Sequence, residues 1–195
     1  MSTTILKDGT GACFSAKVDN TNRIQARSVS TSQLDEESKN GNSYTLSSLF
    51  VTLTSANESA ILWFKNTETF DIEIDTFVFG SGVATGATNT SYEVEICRNP
   101  TSLASGASTS INQSNNNFGS PNTLSITSET GQEAATLVGG TTHELIQVET
   151  EADEMVKSHI ILPKSASIGI KITPPASTTS FKVVIDLIVH IVTHS

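Results

Sequence analysis

The sequence predicts an all-β chain, an antiparallel β-sandwich behind an N-terminal arm that contains a short helix. Three observations predict it. Ser, Thr and Asn make up about a third of the chain while charged residues stop at 16%; Thr favours strands, and Ser and Asn favour turns. Apolar clusters recur between the polar stretches, many with period-two alternation, which excludes a disordered chain. The third is the segment Phe181 to Val192, which is apolar on both faces of an extended strand. Phe181, Val183, Ile185, Leu187, Val189 and Ile191 share one face, and Val184, Ile188 and Val192 the other, interrupted by Lys182, Asp186 and His190. A strand with one wet face alternates cleanly, so this one has to be covered twice, by its own core and again near a subunit contact. Lys182 and His190 are expected towards the edges of that second face.

In chain order, residues 1–42 read as the arm and 43–195 as the sandwich. Phe14 to Val18 and Arg23 to Val29 flank the turn Asp19-Asn-Thr-Asn22 as two short strands. Ser30 to Gly41 reads as a capped helix, with acids in its first turn, Lys39 at its end and Gly41 beyond. Leu34 is its expected apolar anchor. From Ser43 the pattern becomes strand, turn, strand. Tyr44 to Thr54 alternates loosely, and Ser59 to Lys65 is a compact apolar strand containing Trp63, read as a core residue. Phe70, Ile72 and Ile74 point inward and Asp71, Glu73 and Asp75 outward. Phe77 and Phe79 then share the parity of the acids, so either a β-bulge shifts the register or the second face is covered there. Gly80-Ser-Gly-Val-Ala-Thr-Gly86 is a turn, lacking the Lys and following helix of a phosphate loop.

Tyr92, Val94 and Ile96 repeat the alternation, with Glu93 and Glu95 opposite. Asn99 to Asn122 is too polar to supply much core. Further strands are expected over 123–127, 144–148, 156–162 and 166–173, before Pro174-Pro175 and the final strand. Roughly eight strands after residue 43 are spaced for a sandwich of the jelly-roll kind.

The formal net charge is −9 and the eleven basic residues are scattered. Nucleic-acid binding needs a basic stripe to displace counterions, so no nucleic-acid partner is expected. The final apolar run is too short to span a bilayer and the N-terminus lacks a secretory pattern, so no membrane is expected. Cys13 and Cys97 read as reduced thiols.

No catalytic, cofactor-binding or metal-ligating residue is assigned, and no enzyme activity is expected. His190 and His194 are spaced i, i+4, but on an extended strand they stand roughly 13 Å apart and cannot chelate one ion. Cys13 or Cys97 with His143 or His159 has no supporting signature. The better candidates are the acidic rows Asp71/Glu73/Asp75 and Glu93/Glu95, which flank one another if the two strands pair. Crowded carboxylates coordinate calcium, yet calcium sites draw ligands from loops, so a solvated negative face is the expected role.

Several phrases carry a resemblance. Leu6-Lys-Asp-Gly-Thr-Gly11, Ala16-Lys-Val-Asp-Asn-Thr-Asn-Arg-Ile24, Arg98-Asn-Pro100 and Asn117-Phe-Gly-Ser120, with Ala60 to Asn66 and Ile170-Lys-Ile-Thr-Pro-Pro175, resemble small virion structural proteins of tailed bacteriophages. The resemblance implies a jelly-roll-like building block, often a homotrimer, on the capsid or in the tail. The leading expectation is a capsid decoration (cement) protein that binds the major capsid protein, assembled in the host cytoplasm. The alternatives are a tail, fibre or neck component, or a carbohydrate-binding sandwich used in host attachment. No catalytic residue or cofactor comes with the resemblance.

Overall fold

The final strand lies at the centre of a sheet. In the computed structural model, residues 32–105 and 110–192 are described, with the backbone of Leu6–Lys7 and Cys13–Phe14. The chain divides into a unit over Met1–Ser32 and a unit over Gln33–Ser195. In the first, β1 (Leu6–Lys7) pairs antiparallel with β2 (Cys13–Phe14). The strands expected over 14–18 and 23–29 otherwise lie outside the described residues.

The second unit holds α1 (Gln33–Asn40), β3 (Ser43–Ser47), β4 (Val51–Leu53), β5 (Ser59–Asn66), β6 (Asp71–Ser81), β7 (Ser91–Arg98), β8 (Ser102–Ala104), β9 (Asn112–Asn115), β10 (Ile126–Thr130), β11 (Thr136–Val138), β12 (Thr141–Glu149), β13 (Asp153–Leu162), β14 (Ser167–Thr173) and β15 (Phe181–Val192). One sheet has the order β13-β6-β15-β3-β9, with β4 also paired to β15, and the other β10-β5-β14-β7-β12. Taking β3 with β4, then β5, β6, β7, β12, β13, β14 and β15 as successive strands, the first sheet runs first, eighth, third, sixth. The second runs second, seventh, fourth, fifth. That is jelly-roll order, with all pairings antiparallel. β9 and β10 extend the two sheets at one edge, and β12 and β13 form the other.

The odd-numbered face of β15 fills the core as its alternation requires. Phe181, Val183, Ile185, Leu187 and Val189 are wholly buried and join Phe64, Phe77, Phe79, Ile96 and Ile170 from both sheets in one cluster. The change of phase in β6 is a bulge. β15 pairs Ile188 with Thr76 and then Val189 with Ile74, skipping Asp75, so Ile72 and Ile74 before it and Phe77 and Phe79 after it all reach the core. A second bulge sits where β14 passes from Leu62 to Ala60 of β5, turning both Ile61 and Leu62 inward. Phe70, expected inward, precedes β6 and is half exposed, because the strand begins one residue later.

Trp63 faces away from the main core. With Ala60 it lies under the ribbon of β8 and β11, against Leu103, Ala135 and Leu137, and its Nε1 donates to the Pro100 carbonyl at 3.0 Å. The ribbon lies close because Gly169 has no side chain; a Cβ there would stand 2.5 Å from Leu137 Cδ1. These strands, like β9, fall in segments whose composition gave no strand signal. Leu103 and Ile111 are buried along the polar stretch, which therefore supplies more core than expected.

Between β3 and β4 the ladder is broken deliberately. Ile185 N donates to Ser48 Oγ at 2.9 Å and Ser48 N to Ile185 O at 2.9 Å. Leu49 takes a left-handed φ of 59°, a conformation costing an ordinary residue about 1–2 kcal/mol. The kink turns Leu49 and Phe50 into solvent.

Truncating the central strand by Leu187→Ala should cost about 2–5 kcal/mol in denaturant unfolding. Gly131→Ala should be harmful on steric grounds, because the new Cβ would stand 1.6 Å from the Ala60 carbonyl oxygen. Gly139→Ala meets nothing within 4 Å and should cost only the positive-φ penalty of about 1 kcal/mol. Equal melting temperatures for the two alanine variants would contradict this packing.

Candidate functional site

The outer face of the first sheet carries the second face of β15, and cross-strand register places its side chains in rows. Met155, Val78, Asp186 and Ser47 form one row across β13, β6, β15 and β3. Lys157, Thr76, Ile188 and Thr45 form the next, and Ile161, Glu73, His190 and Ser43 another. Val184, Asp186, Ile188 and Val192 are half-buried, Lys182 is exposed, and Met155 and Ile161 are exposed at the β13 edge. Asp186 Oδ1 is buried, and the described residues offer it no hydrogen bond.

His190 departs from its expected edge position, being only 1% exposed. Its cover is α1, which sits beside β3 and β15 and whose buried side chain is Glu37 rather than the half-buried Leu34. The helix ends as its sequence predicts: Gly41 has φ 74°, and Asn42 N donates to Glu37 O at 2.8 Å. Asn42 Nδ2 donates to Glu37 Oε2 at 2.8 Å, fixing the carboxylate over the sheet. Beneath it, His190 Nδ1 is 2.7 Å from Asp75 Oδ2 and Nε2 is 3.6 Å from Glu73 Oε2. The bulge at Asp75 brings two carboxylates to one imidazole. Burial works against the charge on His190, but the Asp75 hydrogen bond and the charges of Asp75, Glu73 and Glu37 outweigh it and raise its pKa. His159 Nδ1, on an exposed ring, lies 3.3 Å from the other oxygen of Glu73.

The acidic rows do not flank one another. Asp71, Glu73 and Asp75 are on β6 in the first sheet, whereas Glu93 and Glu95 are on β7 in the second. Glu95 is held by Lys171, opposite it in register, at 2.5 Å, and Lys171 also meets Glu58 at 3.1 Å. Burial disfavours the ionised Glu95, yet the hydrogen bonds from Lys171, Thr142 and Cys97 hold its pKa below the usual carboxylate value. Burial and the neighbouring Glu95 push the Cys97 thiol up to about 12, so it is a poor nucleophile at neutral pH. Among the described residues no group of three or more His, Cys, Asp and Glu side chains is arranged to hold a metal ion. No helix among them is long and apolar enough to cross a membrane. His194 and the Cys13 side chain lie outside the described residues.

Two features escaped the sequence reading. The Glu37 cover over His190 is invisible locally, because their partnership spans most of the chain. The second is the Asn-rich turn after β9. Asn115 Nδ2 donates to Gly41 O at 2.9 Å, Asn116 Nδ2 to Ser43 Oγ at 2.8 Å and Asn117 Nδ2 to Lys39 O at 2.9 Å. These amides fasten the turn to the end of α1 and leave Phe118 98% exposed. The Asn117-Phe-Gly-Ser120 phrase was the available signal.

No family model matches the chain, and no curated protein does. Among solved structures, a chain from the structure of the infectious bursal disease virus Gx strain is similar over 76% of this chain and 29% of its own, at 14% identity and a TM-score of 0.27. A chain from T=1 particles derived from infectious bursal virus is similar over 78% of this chain and 40% of its own, at 9% identity and a TM-score of 0.19. This chain thus spans less than half the length of either. At such scores the likeness carries no argument about function, and the jelly-roll fold stands on strand order alone.

The raised pKa of His190 gives a signed expectation. Its ordinary value is near 6.5. Below that, with the carboxylates ionised, the ion pairs contribute their full stability; as pH rises through the higher folded-state value the contribution is lost. The melting temperature should therefore fall on going from slightly acid to alkaline pH, and His190→Gln should flatten that slope. Parallel profiles for the two proteins would show that the cluster does not titrate in this window.

Proposed function

We propose that this chain is a structural, non-catalytic subunit of a virus particle, and specifically a decoration protein that binds the major capsid protein and reinforces a phage head. The observation that carries the reading is the outer face of the first sheet. Its centre is half-apolar, through Val78, Val184 and Ile188, with Met155 exposed beside them. In the middle stands an Asp186 carboxylate oxygen that is buried without a hydrogen bond. That oxygen is shielded within the subunit, so the half-buried apolar groups around it and exposed Met155, rather than the carboxylate, offer the surface to a docking protein. Jelly rolls also serve as lectins and other modules, so the fold alone does not select the role. The short phrases shared with tailed-phage virion proteins supply the choice of particle, and the homotrimer expected from them fits a subunit placed at a capsid symmetry axis.

A carbohydrate-binding role is less well supported. Trp63, Tyr44 and Tyr92, the side chains best suited to combine stacking with a polar contact, are all buried. The exposed aromatic groups among the described residues are Phe50, Phe70 and Phe118.

Electron microscopy of the intact particle tests the reading directly. Density for this chain is expected on the head surface at symmetry axes, in many copies. Its occurrence only in purified tails, at low copy number, would overturn the decoration role in favour of a tail, fibre or neck component. Ile188→Asp should abolish binding to emptied heads while leaving the circular dichroism melt cooperative.

A further inference from the structure

The two edges of the sandwich differ in shape and charge. At one edge the sheets gape between β12 and β13. A cavity of about 640 Å³ opens there, and its lining includes core residues Ile96, Leu162 and Ile168 together with half-buried Ile160. Both strands are bulged beside it, β12 between Thr142 and Glu144 and β13 between Lys157 and Ile160, and Leu145 and Ile161 stand exposed. The volume is that of a binding pocket, ample for an aromatic ring and its neighbours.

At the opposite edge, the connection from β9 to β10 presents Phe118. Its turn is fixed from within, by Asn117 N to Asn115 Oδ1 at 2.8 Å and Ser120 N to Asn117 O at 2.9 Å, and from below by the amide bond to Lys39 O. An anchor ordered beforehand avoids much of the entropic cost of docking. Knob and hole also lie at one height. A single register row crosses the sheet from Ile160 through Ile74, Val189 and Tyr44 to Asn115, at the base of the Phe118 turn. Four strand spacings separate its ends, about 19 Å, so Phe118 cannot reach the cavity of its own subunit.

We infer that Phe118 of one copy seats in the β12–β13 cavity of the next, in a head-to-tail contact that closes into a ring. Charge favours a second copy as the occupant. Glu144 is the lone acid among the lining residues, which include Arg98, Lys157, His143 and His159. The knob is fastened to α1, whose exposed charges are Asp35 and Glu36 against Lys39. A heterologous contact of this kind generates a closed ring or an open filament. The ring, and its count of three, rest on the homotrimer reading above; the contact itself does not.

Light scattering after gel filtration, together with cysteine trapping, tests it. The unmodified chain should run at three times its 20.6 kDa mass, and Phe118→Ser at the mass of one chain with an unchanged thermal melt. In a Cys13→Ser, Cys97→Ser background, mixing Gly119→Cys protein, which keeps Phe118 and has room for the new side chain, with Ile161→Cys protein should give a disulfide-linked pair that neither forms alone. A trimer that survives Phe118→Ser, or forms without cross-linking, would overturn the contact while leaving the trimer intact. An unmodified chain that stays monomeric would overturn the ring and the homotrimer reading together, leaving the cavity to a different protein. A filament would overturn ring closure.

Discussion

The sandwich depends on the double pairing of β15. On one side it bonds β6 from Val183 to Val192, and on the other β3 and then β4. It joins the β13–β6 pair to the β3–β9 pair. Its core-facing side chains meet both sheets, so the same residues that satisfy the backbone ladder also supply the largest continuous strip of buried apolar surface. The interruption at Ser48 is tolerated because its hydroxyl replaces one ladder acceptor for Ile185.

The other face of β15 is governed by polar groups. His190, Glu73, Asp75 and Glu37 bring one imidazole and three carboxylates together under a two-turn helix. Burying charge is costly unless each group finds partners. Here the bulge in β6 brings Asp75 to His190 Nδ1, and Asn42 bonds Glu37. His190 Nε2 has Glu73 at 3.6 Å and makes no hydrogen bond among the described residues. A short helix with little apolar surface is marginal by itself. It is held by hydrogen bonds at its C-terminal end, from Asn117 and through Gly41, so the polar loop and the buried cluster support each other.

Much of the sandwich is legible from period-two alternation, because burial on a strand obeys that period wherever one face meets the core. Phe181 to Ile191, Ile72 to Ile74 and Tyr92 to Ile96 all follow it. The phase change at Phe77 was visible as an irregularity, and only pairing with β15 resolves it as a bulge. β8, β9 and β11 were not legible. They are short, and they are placed by contacts with Trp63, Gly169 and Ser43 that lie far away in sequence. His190 was read as an edge group because the helix that covers it lies some 150 residues earlier in the chain. The two acidic rows looked adjacent because their strands are consecutive, whereas this jelly roll sends its third and fourth strands, β6 and β7, to opposite sheets.

The position of β15 also bears on how the chain acquires its shape during translation. The central strand of the first sheet emerges from the ribosome after every other strand of the sandwich. Until it does, β3 and β6 have no common neighbour, and the backbone edges that pair with it stay open to water or to chaperones. Pairing across such sequence separations is slow, since loop closure has to be met before the contacts can form. The nascent sandwich therefore holds unpaired edges for most of its synthesis, a state in which two half-made copies can exchange strands.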